Sequence, residues 1–168
     1  MEGPAVVVYD IEMTSPAFDD RRIMVGDQIR AVCGVKITED MTYTQIFELL
    51  SMIGTSMHLT IFRPDPIPYD KIIVTLKAKE GAVFGDNFGL RLSSTFLLSN
   101  FGSMYIDGFD KSSVADMDGR LKRGDFVKRI NGHNMLKASH PNAAFALYAH
   151  TSKEGATIVC KRFKISNV

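Results

Sequence analysis

Arg123-Gly124-Asp125-Phe126-Val127-Lys128-Arg129-Ile130-Asn131-Gly132 decides the fold, because a similar stretch stands 98 positions upstream. That stretch is Val25-Gly26-Asp27-Gln28-Ile29-Arg30-Ala31-Val32-Cys33-Gly34. The same spacing sets Ser15-Pro16-Ala17 on Ser113-Val114-Ala115 and Val6-Val7-Val8 on Met104-Tyr105-Ile106. Constant spacing over about 30 positions marks one supersecondary plan used twice.

Arg63-Pro64-Asp65-Pro66-Ile67-Pro68 separates the copies. Its prolines block helix and remove ladder donors, so residues 65–70 read as a short, stiff linker. The first copy then covers residues 1–64 and the second residues 71–164, with a tail at 165–168. The counterpart of Lys71 would precede Met1 by roughly 28 residues, so the first copy is expected to lack its opening strands. A piece of a longer scaffold, a half-domain packed on the second copy, and two chains completing each other are all open.

Composition agrees with two units. The chain has 168 residues, 45% hydrophobic and 23% charged, which is ordinary for globular protein. Lys and Arg number 20 against 19 Asp and Glu, a net charge of +1 that gives bulk nucleic-acid binding no support. The total hides a split, −4 over residues 1–64 and +5 over residues 65–168. No apolar run approaches the ~18–20 residues of a membrane span, and residues 1–20 lack a signal-peptide pattern. Two cysteines and no Asn-x-Ser/Thr sequon point to a reducing, intracellular setting.

In the second copy, alternation predicts strands over Lys71–Lys77, Phe88–Ser94, Ser103–Phe109 and Phe126–Ile130, with Ala156–Phe163 closing the unit. Ser112 or Ser113 can cap a short helix that Gly119 stops. Asn131-Gly132 is a hairpin signal. Ser139 to His150 reads as a helix with Ser139 as N-cap and Pro141 in its first turn. The order β-β-β-α-β-β-α-β implies a small, partly open α+β sandwich or barrel with two helices. The first copy supplies a strand over Val6–Ile11, a helix from Ser15 to Asp20 and strands over Gln28–Val32 and Met57–Phe62. Between those last two, Thr42 to Met52 is an amphipathic helix whose apolar face holds Ile46, Phe47, Leu49, Leu50 and Ile53.

With these segments in register, the chain resembles the PDZ domain family twice over. The motifs are Asn87-Phe88-Gly89-Leu90, Gly119 through Asp125, Asn131-Gly132, and Ala138-Ser139-His140-Pro141-Asn142-Ala143-Ala144. The first copy resembles the family from the third strand onward and has Cys33 where Asn is usual.

The resemblance implies a peptide-binding module in which a partner's C-terminus adds as a strand to the second strand, beside the long helix. Asn87, Phe88, Gly89, Leu90, Arg91, Leu92 and Ser93 then form the carboxylate loop and the receiving strand. Phe88, Leu90 and Leu92 wall an apolar pocket for the last side chain. His140, Ala144 and Leu147 line the helix side at i, i+4 and i+7. His140 can donate to a hydroxyl two residues before the peptide end, which gives a Ser/Thr-x-hydrophobic preference. Lys79 is a candidate for attracting the carboxylate. Tyr43 takes the equivalent helix position in the first copy. A scaffold or adaptor follows, cytoplasmic and held through partners at the inner face of the plasma membrane or at junctions. Its partners would be the tails of receptors, channels or signalling proteins.

Other features carry less. Cys33 and Cys160 fall in predicted strands and read as buried small hydrophobes. His58, His133 and His150 have no metal-ligand spacing, no catalytic motif is present, and no cofactor or enzyme activity is expected. Lys122, Arg123, Lys128, Arg129, Lys161, Arg162 and Lys164 form a basic set that reads as a solvated surface. The alternative is attraction to anionic lipid, worth ~1 kcal/mol per charge. Ser166-Asn167-Val168 itself has the Ser-x-Val form, so tail-to-groove self-association is a further candidate.

Overall fold

The computed structural model describes residues 6–52, 54–78, 88–94, 104–136, 138, 143 and 155–165. The chain divides into two compact units, Met1–Pro68 with Phe163–Val168, and Tyr69–Arg162.

The second unit contains β5 (Tyr69–Leu76), β6 (Leu90–Ser94), β7 (Met104–Phe109), α3 (Val114–Asp118), β8 (Phe126–Ile130), β9 (His133–Asn134) and β10 (Ala156–Phe163). The antiparallel sheet runs β5-β10-β8-β7-β6, with β9 paired to β8. Alternation along β5 and β10 turns Val74, Leu76, Ile158 and Cys160 into the core, where Met104, Ile106 and Ile130 meet them. Each fully buried aliphatic side chain of this kind contributes about 1.5–3 kcal/mol. Ser113 caps α3 by accepting the Asp116 N–H, and Gly119 ends it at φ +69. The helix predicted over Ser139–His150 lies outside the described residues, Ala143 apart.

The first unit contains β1 (Val6–Val7), α1 (Pro16–Asp20), β2 (Gln28–Val32), β3 (Val35–Lys36), α2 (Tyr43–Leu50) and β4 (Leu59–Phe62). β2 lies between β1 and β3 and also pairs β4. The spacing of 98 residues holds at the level of single hydrogen bonds. The Gly26 N–H donates to the Val8 carbonyl at 2.7 Å, and the Gly124 N–H to the Ile106 carbonyl at 2.8 Å. Ser15 caps α1 as Ser113 caps α3.

Three readings differ from expectation. The strand expected over Val6–Ile11 is only Val6–Val7. Its counterpart β7 spans six residues because β6 pairs along it, and the described residues of the first unit hold no strand corresponding to β5 or β6. Cys33 is not a buried strand residue. It is exposed, at φ 47, in the turn between β2 and β3, where Asn131 at φ 48 stands in the other copy. Within α2 only Ile46 is buried; Phe47, assigned to the apolar face, is 63% exposed.

A feature not anticipated from sequence is a buried ion pair in each unit. Asp27 accepts from Arg63 Nε at 2.6 Å, and Asp125 accepts from Arg162 Nε at 2.7 Å. Each carboxylate also accepts a backbone N–H three residues earlier, Met24 and Lys122 respectively. Arg63 Nη2 reaches the Arg22 carbonyl and Arg162 Nη2 the Arg120 carbonyl. The arginine at the end of the last strand, just past β4 in the first unit and within β10 in the second, thereby ties that strand to the turn before β2 or β8. The hydrogen bond to Asp27 raises the Arg63 pKa, and the bond to Asp125 does the same for Arg162.

Candidate functional site

β6 stands at the end of the sheet order, beside β7 alone. Its register pairs Leu90 with Phe109 and Arg91 with Gly108, then shifts so that Leu92 faces Ile106. Phe88 and Gly89 precede it in a tight turn with φ +57 and +75. They were expected inside the strand. Two successive left-handed residues cannot continue an extended ladder, so β6 starts only at Leu90.

The turn is held from behind. The Ala115 N–H donates to the Phe88 carbonyl at 3.1 Å, and the Asp110 N–H to the Gly89 carbonyl at 2.8 Å. Across a trans peptide plane the carbonyl and the next N–H point in opposite directions. The Gly89 N–H therefore points away from α3, and the Leu90 N–H away from β7. Both are directed away from the backbone groups that hold the turn.

Phe88 and Leu90 are buried among the core side chains, Phe88 to 1% exposure. Leu92 is only half-buried and packs against that core, as does Ala138. Arg91 is exposed and donates to the Phe109 carbonyl at 2.8 Å, while Ser93 is half-buried. Phe88, Gly89, Leu90 and Leu92 are thus brought together at one corner of the sheet. Asn87, Lys79, His140, Ala144 and Leu147 lie outside the described residues, as does Ser166-Asn167-Val168. Sequence reasoning passed over Asp110 and Ala115, whose backbone groups hold the turn; no side-chain pattern marks a backbone donor.

No family model matches the sequence. Relatives are plain, however. The chain is 30% identical over 148 residues to the InaD-like protein of Rattus norvegicus, covering 85% of this chain and 8% of that one. It is 28% identical over 149 residues to the multiple PDZ domain protein of Homo sapiens, covering 85% of this chain and 7% of that one. Among solved structures, the complex of INAD PDZ45 with NORPA CC-PBM superposes with TM-score 0.71 at 22% identity, over 96% of this chain and 79% of that one. INAD PDZ45 in complex with NG2 peptide gives the same TM-score at 23% identity, over 95% and 76%.

Over 85% of its length the chain is similar to PDZ scaffold proteins.

It spans less than a tenth of the length of the first curated relatives it matches. Its fold is the α+β PDZ fold with open antiparallel sheets. Of the basic set, Lys122, Arg123, Lys128, Arg129 and Lys164 are exposed, as a solvated surface requires. Arg162 is bound to Asp125, Arg123 Nη2 lies 3.3 Å from Asp107, and Lys161 Nζ sits 4.5 Å from the centre of the Tyr69 ring. Among the described residues no group of His, Cys, Asp and Glu is arranged to hold a metal, and no helix is long and apolar enough to cross a membrane.

Proposed function

We propose that the second PDZ unit binds the C-terminal end of a partner chain, added as a strand along β6. The carrying observation is the anchoring of the Phe88 and Gly89 carbonyls to Ala115 and Asp110 just before the end strand β6, which turns the Gly89 and Leu90 N–H groups away from those anchors. Successive backbone N–H groups facing one way form a concavity suited to a carboxylate. Strand addition then takes main-chain hydrogen bonds along β6, and Leu92 contributes apolar surface for the last side chain. The peptide complexes of INAD PDZ45 support the same reading for this chain.

As part of the same proposal, His140 selects Ser or Thr two residues before the end, and Ala144 and Leu147 contribute to the peptide groove. Asn87 completes the loop and Lys79 attracts the carboxylate. The protein is a non-catalytic scaffold that works in the cytoplasm and reaches membranes or junctions through the tails it binds.

An array of C-terminal peptides, each as free acid and as amide, tests this. Selection for free acids ending in Ser/Thr-x-hydrophobic is expected, and His140→Ala should weaken those peptides by about three- to tenfold, the equivalent of one hydrogen bond. Equal binding of acids and amides would defeat the strand-addition reading. An unchanged affinity in His140→Ala would remove the selectivity role alone.

A further inference from the structure

We infer that Ser113, the N-cap of α3, is a positioning residue for the loop that receives the partner's carboxylate. The inference rests on the strand-addition reading above. Gly89 lies so close to α3 that a Cβ built on it would overlap Ser113 Cβ and Oγ and meet Asp110 Cβ at 3.4 Å. Ser113 itself has no room to retreat. Its N–H donates to the Asp110 carbonyl at 3.0 Å, and its Oγ accepts the Asp116 N–H at 3.2 Å. The Ser112 N–H donates to Asp116 Oδ2 at 2.8 Å and fixes the same turn.

Three points of the segment from Asp110 to Ala115 therefore touch the loop. Asp110 and Ala115 hold its two carbonyls, and Ser113 sets how deeply Gly89 sits. A side chain one carbon larger at position 113 pushes Gly89 outward and turns both peptide planes. Hydrogen bonds weaken steeply with angle, so the effect falls on the Gly89 and Leu90 N–H groups. It falls most on a ligand with a charged carboxylate, whose bonds are the stronger ones.

The readout is the ratio of affinities for one peptide as free acid and as amide. Ser113→Ala and Ser113→Val both remove the cap, and only Val adds bulk against Gly89. Ser113→Ala should keep the wild-type ratio within about twofold, and Ser113→Val should lower it about fivefold or more. A Val variant with the wild-type ratio, or an Ala variant that falls as far as Val, overturns the inference. Should Ser113→Val fail to fold, Ser113→Thr, which keeps the cap hydroxyl and adds one methyl against Gly89, takes its place. A lowered ratio in Ser113→Thr supports the contact, and the wild-type ratio overturns it. Wild-type protein that binds acid and amide alike defeats the underlying binding reading instead.

Discussion

Arg162 closes a two-pronged ion pair on Asp125, with Nε on Oδ1 and Nη2 on Oδ2, both at 2.7 Å. The carboxylate is 1% exposed, while the Arg162 side chain keeps 31%. A buried carboxylate is tolerated only when paired and hydrogen-bonded, and here the Lys122 N–H supplies a further donor. Removing one partner leaves an uncompensated buried charge, which costs more than the pair contributes. Arg162→Met is therefore expected to destabilise the second unit by about 2–4 kcal/mol, below the full buried-pair value because Arg162 is partly wet. Arg120→Met, at an exposed pair, should cost far less. Urea unfolding of the two variants decides it; equal losses would mean that the Asp125 pair contributes nothing special.

The same pair marks where sequence reading stopped. The repeat was legible because Gly-Asp, the caps Ser15 and Ser113, and the turn glycines recur at constant spacing, and hydrogen bonds with the same partners follow. Arg63 and Arg162 are 99 apart rather than 98, so they fall out of register with the repeat. In β10 the arginine also sits among Lys161 and Lys164, where charge alone reads as solvated surface. Of the binding site, the Phe88-Gly89 turn and the receiving strand were legible from the motif. The start of β6 at Leu90 was not, since left-handed φ at Phe88 is set by the tie to Ala115, far along the chain.

Cys33 and Cys160 should differ sharply as thiols. Burial pushes the Cys160 thiol pKa well up, the Asp125 charge adds to this, and Arg162 opposes it. The thiolate is the reactive form, so Cys160 is expected to be inert in the folded protein. Cys33 is exposed in its turn. A disulfide reagent should modify one thiol per native chain and two after denaturation. Cys33→Ser should abolish the native reaction; persistence of it would mean that Cys160 is reached without unfolding.

Cys33 also carries a backbone cost. The turns at Cys33-Gly34 and Asn131-Gly132 have positive φ at both central residues, the type I′ geometry of tight hairpins. Asn enters the left-handed region several-fold more readily than other non-glycine residues. Cys33→Asn should stabilise the first unit by roughly 0.5–1 kcal/mol, and Asn131→Cys should cost the second more than that, because Asn131 Oδ1 also accepts the Thr157 N–H at 2.8 Å. Thermal unfolding measures both. A destabilising Cys33→Asn or a stabilising Asn131→Cys would show that side-chain contacts, not φ, decide these turns.

Acid stability should depend partly on Asp118. The hydrogen bond from Arg120 holds this carboxyl below its ordinary value, burial opposes it, and the charge of Arg120 adds a smaller pull. Asp20 and Arg22 repeat the arrangement at the surface of the first unit. A carboxyl whose folded pKa is lowered binds its proton less readily in the folded chain than in the unfolded one. Its contribution is complete above the unfolded value of about 3.9 and is lost as pH falls through the lower, folded value. The Arg120 partner is more than half exposed, so the contribution at neutral pH is under about 1 kcal/mol. Asp118→Asn should lower stability slightly at pH 7 and flatten the fall in stability below about pH 4. Unfolding curves taken between about pH 2 and pH 7 measure both effects. A variant that loses stability on acidification as steeply as the wild type would place the acid sensitivity of the second unit at other carboxylates.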